Sequence, residues 1–236
     1  MRKKIAAYFA VLSLFLICTP SWADVSELDR RLHAAGVVMK EISVSPDQSI
    51  PEEMLAKCKA IAIYPNVLKV GFIFGGKFGK GVVLKKDEKT GQWGAPAFST
   101  LGGGSWGLQI GGELTDVILV IMNENGMKAL MSTNVKLGAE IGVAAGPIGR
   151  ESSGGTDLTL RAGILSYSRS RGLFAGLAAE GAILTQDNGS NALYYGKHVN
   201  ARDILLRDAG ITVQPSSKEL VDTLNQYTTR WAKRKP

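Results

Sequence analysis

The sequence predicts an α+β fold in which a mostly antiparallel, strongly curved or barrel-like β-sheet is flanked by N-terminal and C-terminal helices. Three observations predict this fold. Apolar residues recur at spacings of three and four near both ends of the chain, which is typical of amphipathic helices. Apolar runs of strand length fill the middle, and 24 of the 28 glycines lie between Gly71 and Gly181. So many glycines in strand-like sequence indicate bulges, tight turns and close backbone approach in a curved sheet.

The composition indicates a globular protein whose body is close to neutral. The chain has 236 residues, of which 45% are apolar and 21% charged, as expected for one large domain. Its formal net charge is +7, but three cations lie in an N-terminal segment that we expect to be removed. Without them 25 Lys and Arg face 21 Asp and Glu, and four cations between residues 230 and 235 account for the remaining +4. This balance argues against nucleic acid as a partner.

The first 23 residues have the pattern of a signal peptide. A positively charged start is followed by the apolar run Ile5 to Cys18, and small residues lead up to a cleavage position after Ala23. The run of 14 residues is short for a membrane-spanning helix. Lipoprotein processing at Cys18 is not expected, because Ile17 stands where a small residue is required. The sequence therefore predicts export of a chain that begins at Asp24.

Export makes the number of cysteines informative. Once Cys18 is lost with the signal peptide, Cys58 is the only thiol left and no internal disulfide can form. Cys58 lies in the apolar segment MLAKCKAIAIY, which favours a small buried core residue over a reactive thiol.

Residues 24–49 are predicted to form an N-terminal amphipathic helix and a linker. The helix covers Asp24 to Ile42 and has one apolar side, formed by Leu28, Leu32, Ala35, Met39 and Ile42. Its other side carries acidic and basic residues in similar number, which favours docking on the protein's own domain. A membrane surface is the alternative.

Residues 50–236 are predicted to form a single domain that ends in a C-terminal helix and a basic tail. Helices are expected after Pro51, at Glu124 to Ser132, between Asn200 and Gly210, and after a capping box of Ser216 and Glu219. Turns are expected at Pro65 with Asn66 and at Asn188 to Ser190. Strands are predicted at Ala60 to Tyr64, Val70 to Phe74, Gly81 to Leu84, Trp93 to Thr100, Leu101 to Gly112, Asp116 to Met122, Val135 to Ala145, Leu158 to Ser170, Leu173 to Leu184 and Ala192 to Tyr195.

The segment from Ser166 to Arg171 alternates with a period of two. In an extended chain its three serines lie on one face, and Tyr167, Arg169 and Arg171 lie on the other. One interpretation is an ordinary solvated strand face. The other is an anion-binding strip, since two guanidiniums about 7 Å apart suit phosphate groups. Both remain open at this stage.

The chain is poor in catalytic groups. His33 and His198 are its two histidines, neither has neighbours at metal-ligand spacing, and HExxH, CxxC and GxSxG motifs are absent. Residues 71–77 partly fit a phosphate-binding loop, but Phe78 replaces the required Ser or Thr. We therefore expect no enzyme, no catalytic residues, no metal site and no cofactor. A remaining hypothesis is an enzyme whose carboxylates converge in a pocket, and the residues that could meet in this way are Glu113, Asp116, Glu140, Asp157 and Glu180.

Six segments between Ile50 and Leu206 resemble, in order, motifs of the SYLF domain family. This family is found in bacterial exported proteins and in eukaryotic proteins of membrane and actin traffic. The segments are IPEEMLAKCKAIAIYP (Ile50 to Pro65), VGFIFGGKFGKGVV (Val70 to Val83), WGAPAF (Trp93 to Phe98), GAEIGVAAGPIGR (Gly138 to Arg150), SYSRSRGLFAGLAAEG (Ser166 to Gly181) and LYYG (Leu193 to Gly196).

The resemblance implies a non-enzymatic lipid-binding module of the bacterial periplasm or envelope. Eukaryotic members bind phosphoinositides through basic residues and an N-terminal amphipathic helix, so anionic phospholipid is the expected partner here, with the first helix as a possible second contact. Actin bundling, known for some yeast relatives, is not expected of an exported bacterial protein. The alternative is a structural or assembly protein that acts through a protein partner or a homo-oligomer. The implied headgroup contacts are Lys69, Lys77, Lys80, Arg150, Arg169 and Arg171.

Overall fold

A computed structural model describes residues 24–44, 49–149, 162–170, 173–176, 179–206 and 210–234. Within these ranges the helices are α1 (Val25–Val44), α2 (Glu52–Lys57), α3 (Glu124–Leu130), α4 (Asn188–Tyr195), α5 (Ala201–Leu206) and α6 (Lys218–Arg234), with a short 3-10 helix at Pro215–Ser217. The strands are β1 (Ala60–Lys85), β2 (Ala97–Ile121), β3 (Asn134–Lys136), β4 (Val143–Ala145), β5 (Ile164–Ser170), β6 (Leu173–Gly176) and β7 (Ala182–Gln186). The predicted signal peptide lies outside the described residues.

Strand β2 is the centre of a strongly curled, half-barrel sheet. Its whole length pairs with β1 on one side, while on the other side β7 pairs with its start and β5 with its end. The sheet order is β3-β7-β2-β5-β4, and β6 pairs with β5. Among the seven described strands, every pairing is antiparallel except that between β4 and β5. The predicted α+β class, with a curved sheet and helices at both ends, is confirmed.

Strands β1 and β2 are each continuous, so the prediction of several short strands in these segments is wrong. Pro65 and Asn66 form a bulge inside β1 rather than a turn between strands. The pairing register shifts between Tyr64 and Val67, and Asn66 has a φ of +51°. The N–H of Asn66 donates to Oδ1 of Asp116 at 2.9 Å, which satisfies the one backbone donor that the bulge releases.

Close contact between two parts of β1 produces the curl of the sheet. A methyl group added at Gly79 would lie 2.6 Å from Cγ2 of Val67, and one at Gly81 would overlap the carbonyl oxygen of Ile63. Only glycine leaves room for this approach, so the curvature predicted from the glycine content is confirmed. Residues near the start and the end of β1 therefore lie against each other.

Apolar residues cover both faces of the sheet. Alternate residues of β1, such as Ile61 and Ile63, pack with α1, α2 and α6 on one face. Their neighbours Ala60, Ala62 and Tyr64 belong to a second cluster on the other face, with residues from α3 and α5. The alternation follows directly from the period of two in a strand.

Helix α1 docks on the first of these faces, as its balanced charge predicted. Its apolar side is buried and is formed by Leu28, Leu32, Ala35, Val38, Met39 and Ile42. Charged contacts hold it at both ends: Arg31 lies between Glu27 and Asp187, and Lys40 contacts Glu219. In the described part of the chain, no helix combines the length and the apolar character needed to cross a membrane.

The segment at residues 188–195 is helix α4, so the predicted turn and short strand there are wrong. The carboxylate of Asp187 accepts hydrogen bonds from the N–H of Ser190 at 3.1 Å and from its hydroxyl at 2.7 Å, which caps the helix. Gly196, with a φ of +65°, ends it. A local cap therefore overrides the strand propensity of the two tyrosines.

Two further predictions near the C-terminus have different outcomes. Oδ1 of Asn200 accepts from the N–H of Asp203 at 3.0 Å, which confirms the predicted cap of α5. The predicted capping box before α6 is wrong, because the hydroxyl of Ser216 pairs with that of Tyr194 and Glu219 contacts Lys40. A short 3-10 helix leads into α6 instead.

The predicted strand from Val135 to Ala145 is instead the two short strands β3 and β4. A turn separates them, and in it Gly138 has a φ of +88°. Both short strands lie next to longer ones, β3 on β7 and β4 on β5.

Candidate functional site

Three of the predicted headgroup contacts lie together on one part of the sheet. We call the paired residues 67–80 of β1 and 100–115 of β2 the ribbon. Over most of its length, from position 104 to 115, β1 is the only neighbour of β2 among the described residues, and β7 pairs with positions 100–103. Lys69, Lys77 and Lys80 all lie on the β1 side of the ribbon. The ribbon joins two well-packed ends of the sheet.

Lys69 and Lys77 face each other across the fold of the ribbon. Val67 and Gly79 touch, and these residues are two positions before Lys69 and two positions after Lys77. Residues two apart on a strand share a face, so both lysines lie next to this contact. Burial lowers the pKa of Lys77 below its usual 10.5, and the positive charge of Lys69 lowers that pKa further.

Neither of these lysines has a carboxylate partner within 4.0 Å among the residues that the structure describes. Glu113 lies directly opposite Lys69 in the strand pairing, but its carboxylate accepts a hydrogen bond from the hydroxyl of Ser170. A partly buried ammonium next to a second cation is unfavourable unless an anion joins it. This pair of lysines is thus suited to a phosphate group.

Lys80 and Arg169 are already paired with acidic residues. The ammonium of Lys80 lies 3.7 Å from the carboxylate of Glu27 in α1. The guanidinium of Arg169 lies 2.8 Å from Asp116 and also contacts Glu41 of α1. Arg169 therefore links the first helix to β2, and the anion-binding interpretation of its strand face has less support than that of the ribbon.

The other two predicted headgroup contacts, Arg150 and Arg171, lie outside the described residues.

Of the five carboxylates named for a possible enzyme, Asp157 also lies outside the described residues. Asp116 is held by Arg169 and by the backbone of Asn66. Among the residues that the structure describes, no group of three or more acidic, His or Cys side chains could hold a metal ion.

A cavity of about 560 Å³ lies beside α2. All three lysines that line this cavity form ion pairs or hydrogen bonds with other groups of the protein. Lys57 pairs with Glu53, Lys59 pairs with two glutamates, and Lys86 donates to carbonyl oxygens at the end of α2. The cavity is consequently a poorer anion site than the ribbon.

Cys58 lies beside the same cavity and is buried, as its apolar segment predicted. Its thiol donates to the carbonyl oxygen of Leu55 at 3.1 Å. Burial raises the pKa of Cys58 to about 12, so the thiol is inert at neutral pH.

Exposed apolar side chains of the ribbon were missed by sequence reasoning. Leu68 and Leu114 form a cross-strand pair, 44% and 57% exposed, and Val70 on the same face is 49% exposed. Phe78, between two of the lysines, is 54% exposed. Reading β1 as one continuous strand would have placed Leu68 and Val70 on the face opposite Val67 and Lys69.

Comparison with known proteins finds one matching family and several similar eukaryotic proteins. The sequence profile of the Ysc84 family, described as "Las17-binding protein actin regulator", matches residues 102–227. The chain is 33% identical over 187 residues to SH3 domain-containing YSC84-like protein 1 of Bos taurus, covering 79% of this chain and 54% of that protein. It is 31% identical over 214 residues to the Xenopus laevis protein of the same name, with coverage of 87% and 62%.

A yeast protein gives a similar match over a shorter region. LAS seventeen-binding protein 3 of Saccharomyces cerevisiae (strain ATCC 204508 / S288c) is 34% identical over 162 residues, which are 67% of this chain and 35% of that protein. The chain thus spans about half the length of its mammalian relative and about a third of its yeast relative.

Proposed function

Because the chain belongs to the Ysc84 family, which is the SYLF family of the sequence resemblance, we propose that it is a non-enzymatic binding module for anionic phospholipid headgroups. The family description names a binding protein and regulator, and the name of the yeast relative also names a binding protein. The headgroup contacts in this proposal are the lysines of the ribbon, Lys69 and Lys77 above all.

One observation carries the proposal: Lys77 is half-buried beside Lys69, and the described residues provide neither lysine with a carboxylate partner. A bound phosphate would relieve the repulsion between the two ammonium groups and restore the pKa of Lys77 toward its usual value. Each well-placed cation near an anionic surface contributes about 1 kcal/mol. Binding through two or three lysines is therefore weak and sensitive to salt.

Helix α1 is not the membrane contact in this proposal. Removing its six buried apolar side chains from the core would cost about 10 kcal/mol, at roughly 2 kcal/mol for each large side chain. A few headgroup contacts at about 1 kcal/mol each cannot offset that loss. The helix stays docked and presents only its charged side to a membrane.

Sedimentation with phospholipid vesicles tests the proposal. We expect the protein to bind vesicles that contain phosphatidylglycerol and to dissociate from them as the salt concentration increases. It should not bind neutral vesicles of phosphatidylcholine. The double variant Lys69→Gln/Lys77→Gln should lose about 30-fold in affinity, from about 1 kcal/mol per lysine. Lys128→Gln/Lys136→Gln, which changes two exposed lysines elsewhere, is the matched control. Equal binding of neutral and anionic vesicles would refute the proposal.

The location of the protein is a second part of the proposal. A signal peptide of residues 1–23 would place the module in the bacterial periplasm, next to membrane surfaces that contain anionic lipid. N-terminal sequencing of the protein purified from producing cells should begin at Asp24. A chain that keeps Met1 and stays in the cytoplasm would contradict this location.

A protein partner is the second candidate function, favoured by the family description, which names a bound protein. In this case the module would act in assembly, through a partner protein or a second copy that covers Arg169 and Arg171. Light scattering after size-exclusion chromatography distinguishes the two. A stable oligomer in which Arg169 and Arg171 become protected from modification, with no binding to anionic vesicles, would favour assembly over lipid.

A further inference from the structure

We infer that Ser170 is a positioning residue for the anion site. Its hydroxyl holds the carboxylate of Glu113 away from Lys69, so that the ammonium of Lys69 stays available to an external anion. This inference rests on the proposed function and deepens it at the same surface. Its basis is the order of three neighbouring strands, in which Lys69 lies on β1, Glu113 on the middle strand β2 and Ser170 on β5.

Glu113 lies between a cation on one neighbouring strand and a hydroxyl on the other. In the pairing of β1 with β2 it is directly opposite Lys69. The pairing of β2 with β5 ends at Asp116 and Arg169, and Ser170 comes next on β5, towards Glu113. The period of two in a strand places Lys69, Glu113 and Ser170 on one face of the sheet. The carboxylate of Glu113 can therefore turn towards either neighbour.

The carboxylate contacts the hydroxyl rather than the ammonium. A lysine and a glutamate directly opposite each other on one face of a sheet ordinarily attract each other. Here the hydroxyl of Ser170 donates to Oε1 of Glu113, and Lys69 has no carboxylate within 4.0 Å among the described residues. Hydrogen bonds to an ionised oxygen are among the stronger ones, and all three side chains are partly buried, where water competes less.

The neighbouring hydroxyl on this face does not hold the carboxylate. Thr115 is two positions from Glu113 on β2, and its hydroxyl is buried with no hydrogen-bond partner among the residues that the structure describes. Without the Ser170 hydroxyl, the carboxylate would be free to turn to Lys69 and neutralise one of the two cations that face each other in the ribbon. A phosphate group would then meet one free lysine in place of two.

A double-mutant cycle with phosphatidylglycerol vesicles tests the inference. Ser170→Ala should lose about fivefold in affinity, which is the share of one lysine. In the Glu113→Gln background the same substitution should change affinity less than about 1.5-fold, because no charged carboxylate is left to compete. Ser170→Thr keeps the hydroxyl and should bind like the unmodified protein. Ser168→Ala, which removes a hydroxyl from the same face of β5, is the matched control.

The reactivity of Lys69 gives a readout that needs no lipid. An ammonium next to a carboxylate keeps its proton longer, and only the neutral amine reacts with an acetylating reagent. We expect Lys69 to be acetylated about threefold more slowly in Ser170→Ala than in the unmodified protein, and at the original rate or faster once Glu113→Gln is added. Mass spectrometry of peptides measures the rate at each lysine. Lys136, which is exposed on β3, is the internal reference.

The outcomes separate this inference from the proposed function. A loss of affinity that is equal with and without the Glu113 carboxylate, or that persists in Ser170→Thr, would overturn the inference, because Ser170 would then only support the local structure. Full affinity and unchanged acetylation of Lys69 in Ser170→Ala would also overturn it and leave headgroup binding in place. If the unmodified protein binds no anionic vesicles, the proposed function fails. The acetylation rate of Lys69 then decides the inference alone: a slower rate in Ser170→Ala supports it and an unchanged rate overturns it.

Discussion

Two groups of cations, in the sheet and in the helix docked on it, differ in what surrounds them. Arg31 and Arg169 each lie between two carboxylates, and both connect helix α1 to other parts of the chain. Lys69 and Lys77 lie next to each other, and the described residues leave them without a carboxylate. The first group stabilises the fold. The second group destabilises the fold through charge repulsion, and its charges are suited to bind an anionic ligand. The position of a cation on a strand therefore does not reveal its role until its neighbours are known.

The largest expected effect in this comparison is the loss of Arg31. Its side chain is buried between Glu27 and Asp187 and lies over the ring of Phe98. We expect Arg31→Ala to reduce the free energy of unfolding by about 3 kcal/mol, because two partly buried carboxylates lose their partner. Urea unfolding followed by circular dichroism measures the change. Arg30→Ala, at the exposed neighbouring position, should cost less than about 0.5 kcal/mol.

Loss of Arg169 comes next and tests the comparison directly. We expect Arg169→Ala to cost about 2 kcal/mol in the free energy of unfolding, since Asp116 is largely buried and the contact with Glu41 is more exposed. Vesicle affinity should change less than about threefold. A loss of affinity as large as that of Lys69→Gln/Lys77→Gln, at unchanged stability, would place Arg169 with the ligand-binding cations.

Removing one of its two carboxylates should make Arg169 partly available to an anionic ligand. In Glu41→Gln the guanidinium of Arg169 keeps Asp116 but loses its contact with α1. We expect affinity for anionic vesicles to rise about threefold to fivefold, since one more cation is then partly available to headgroups. Glu53→Gln, which releases the exposed Lys57 beside α2, is the control. Unchanged affinity in Glu41→Gln would show that Arg169 is too far from the bound membrane to matter.

The smallest expected effect concerns pH. Because the pKa of Lys77 lies below its usual 10.5, this lysine loses its proton earlier than an ordinary lysine as pH rises. Vesicle affinity should fall slightly as pH rises from 7 towards this lowered pKa, measured with phosphatidylglycerol, whose phosphate does not titrate in that range. Stability should change in the opposite direction: the folded state binds fewer protons than the unfolded state between the two pKa values, so folding gains as pH rises. Lys77→Gln should remove both trends.

The elements that follow from local sequence were predictable. The spacing of Leu28, Leu32, Ala35 and Met39 predicted helix α1 and its buried side. The apolar sequence around Cys58 predicted that its side chain is buried. Helix α4 could have been predicted from the sequence, because Asp187 precedes it as a cap and Gly196 follows it. It was missed because the tyrosines favoured a strand.

The site depended on contacts that sequence patterns do not contain. Pro65 with Asn66 predicted a turn, but β1 continues through them because the N–H of Asn66 finds Asp116 fifty residues later. Without a continuous β1, the pairing of Leu68 with Leu114 and the approach of Lys69 to Lys77 could not be foreseen. The partners of Arg169 are likewise 53 and 128 residues away in the sequence.

The pairing of β1 on one side only has a consequence for solubility. In the described residues no other strand pairs with its second side, and an unpaired strand edge can recruit strands from other molecules into aggregates. Lysines on an edge strand prevent this recruitment, and Lys69, Lys77 and Lys80 stand on this one. The same three side chains are thus expected to oppose self-association, so replacing them with apolar residues should increase aggregation.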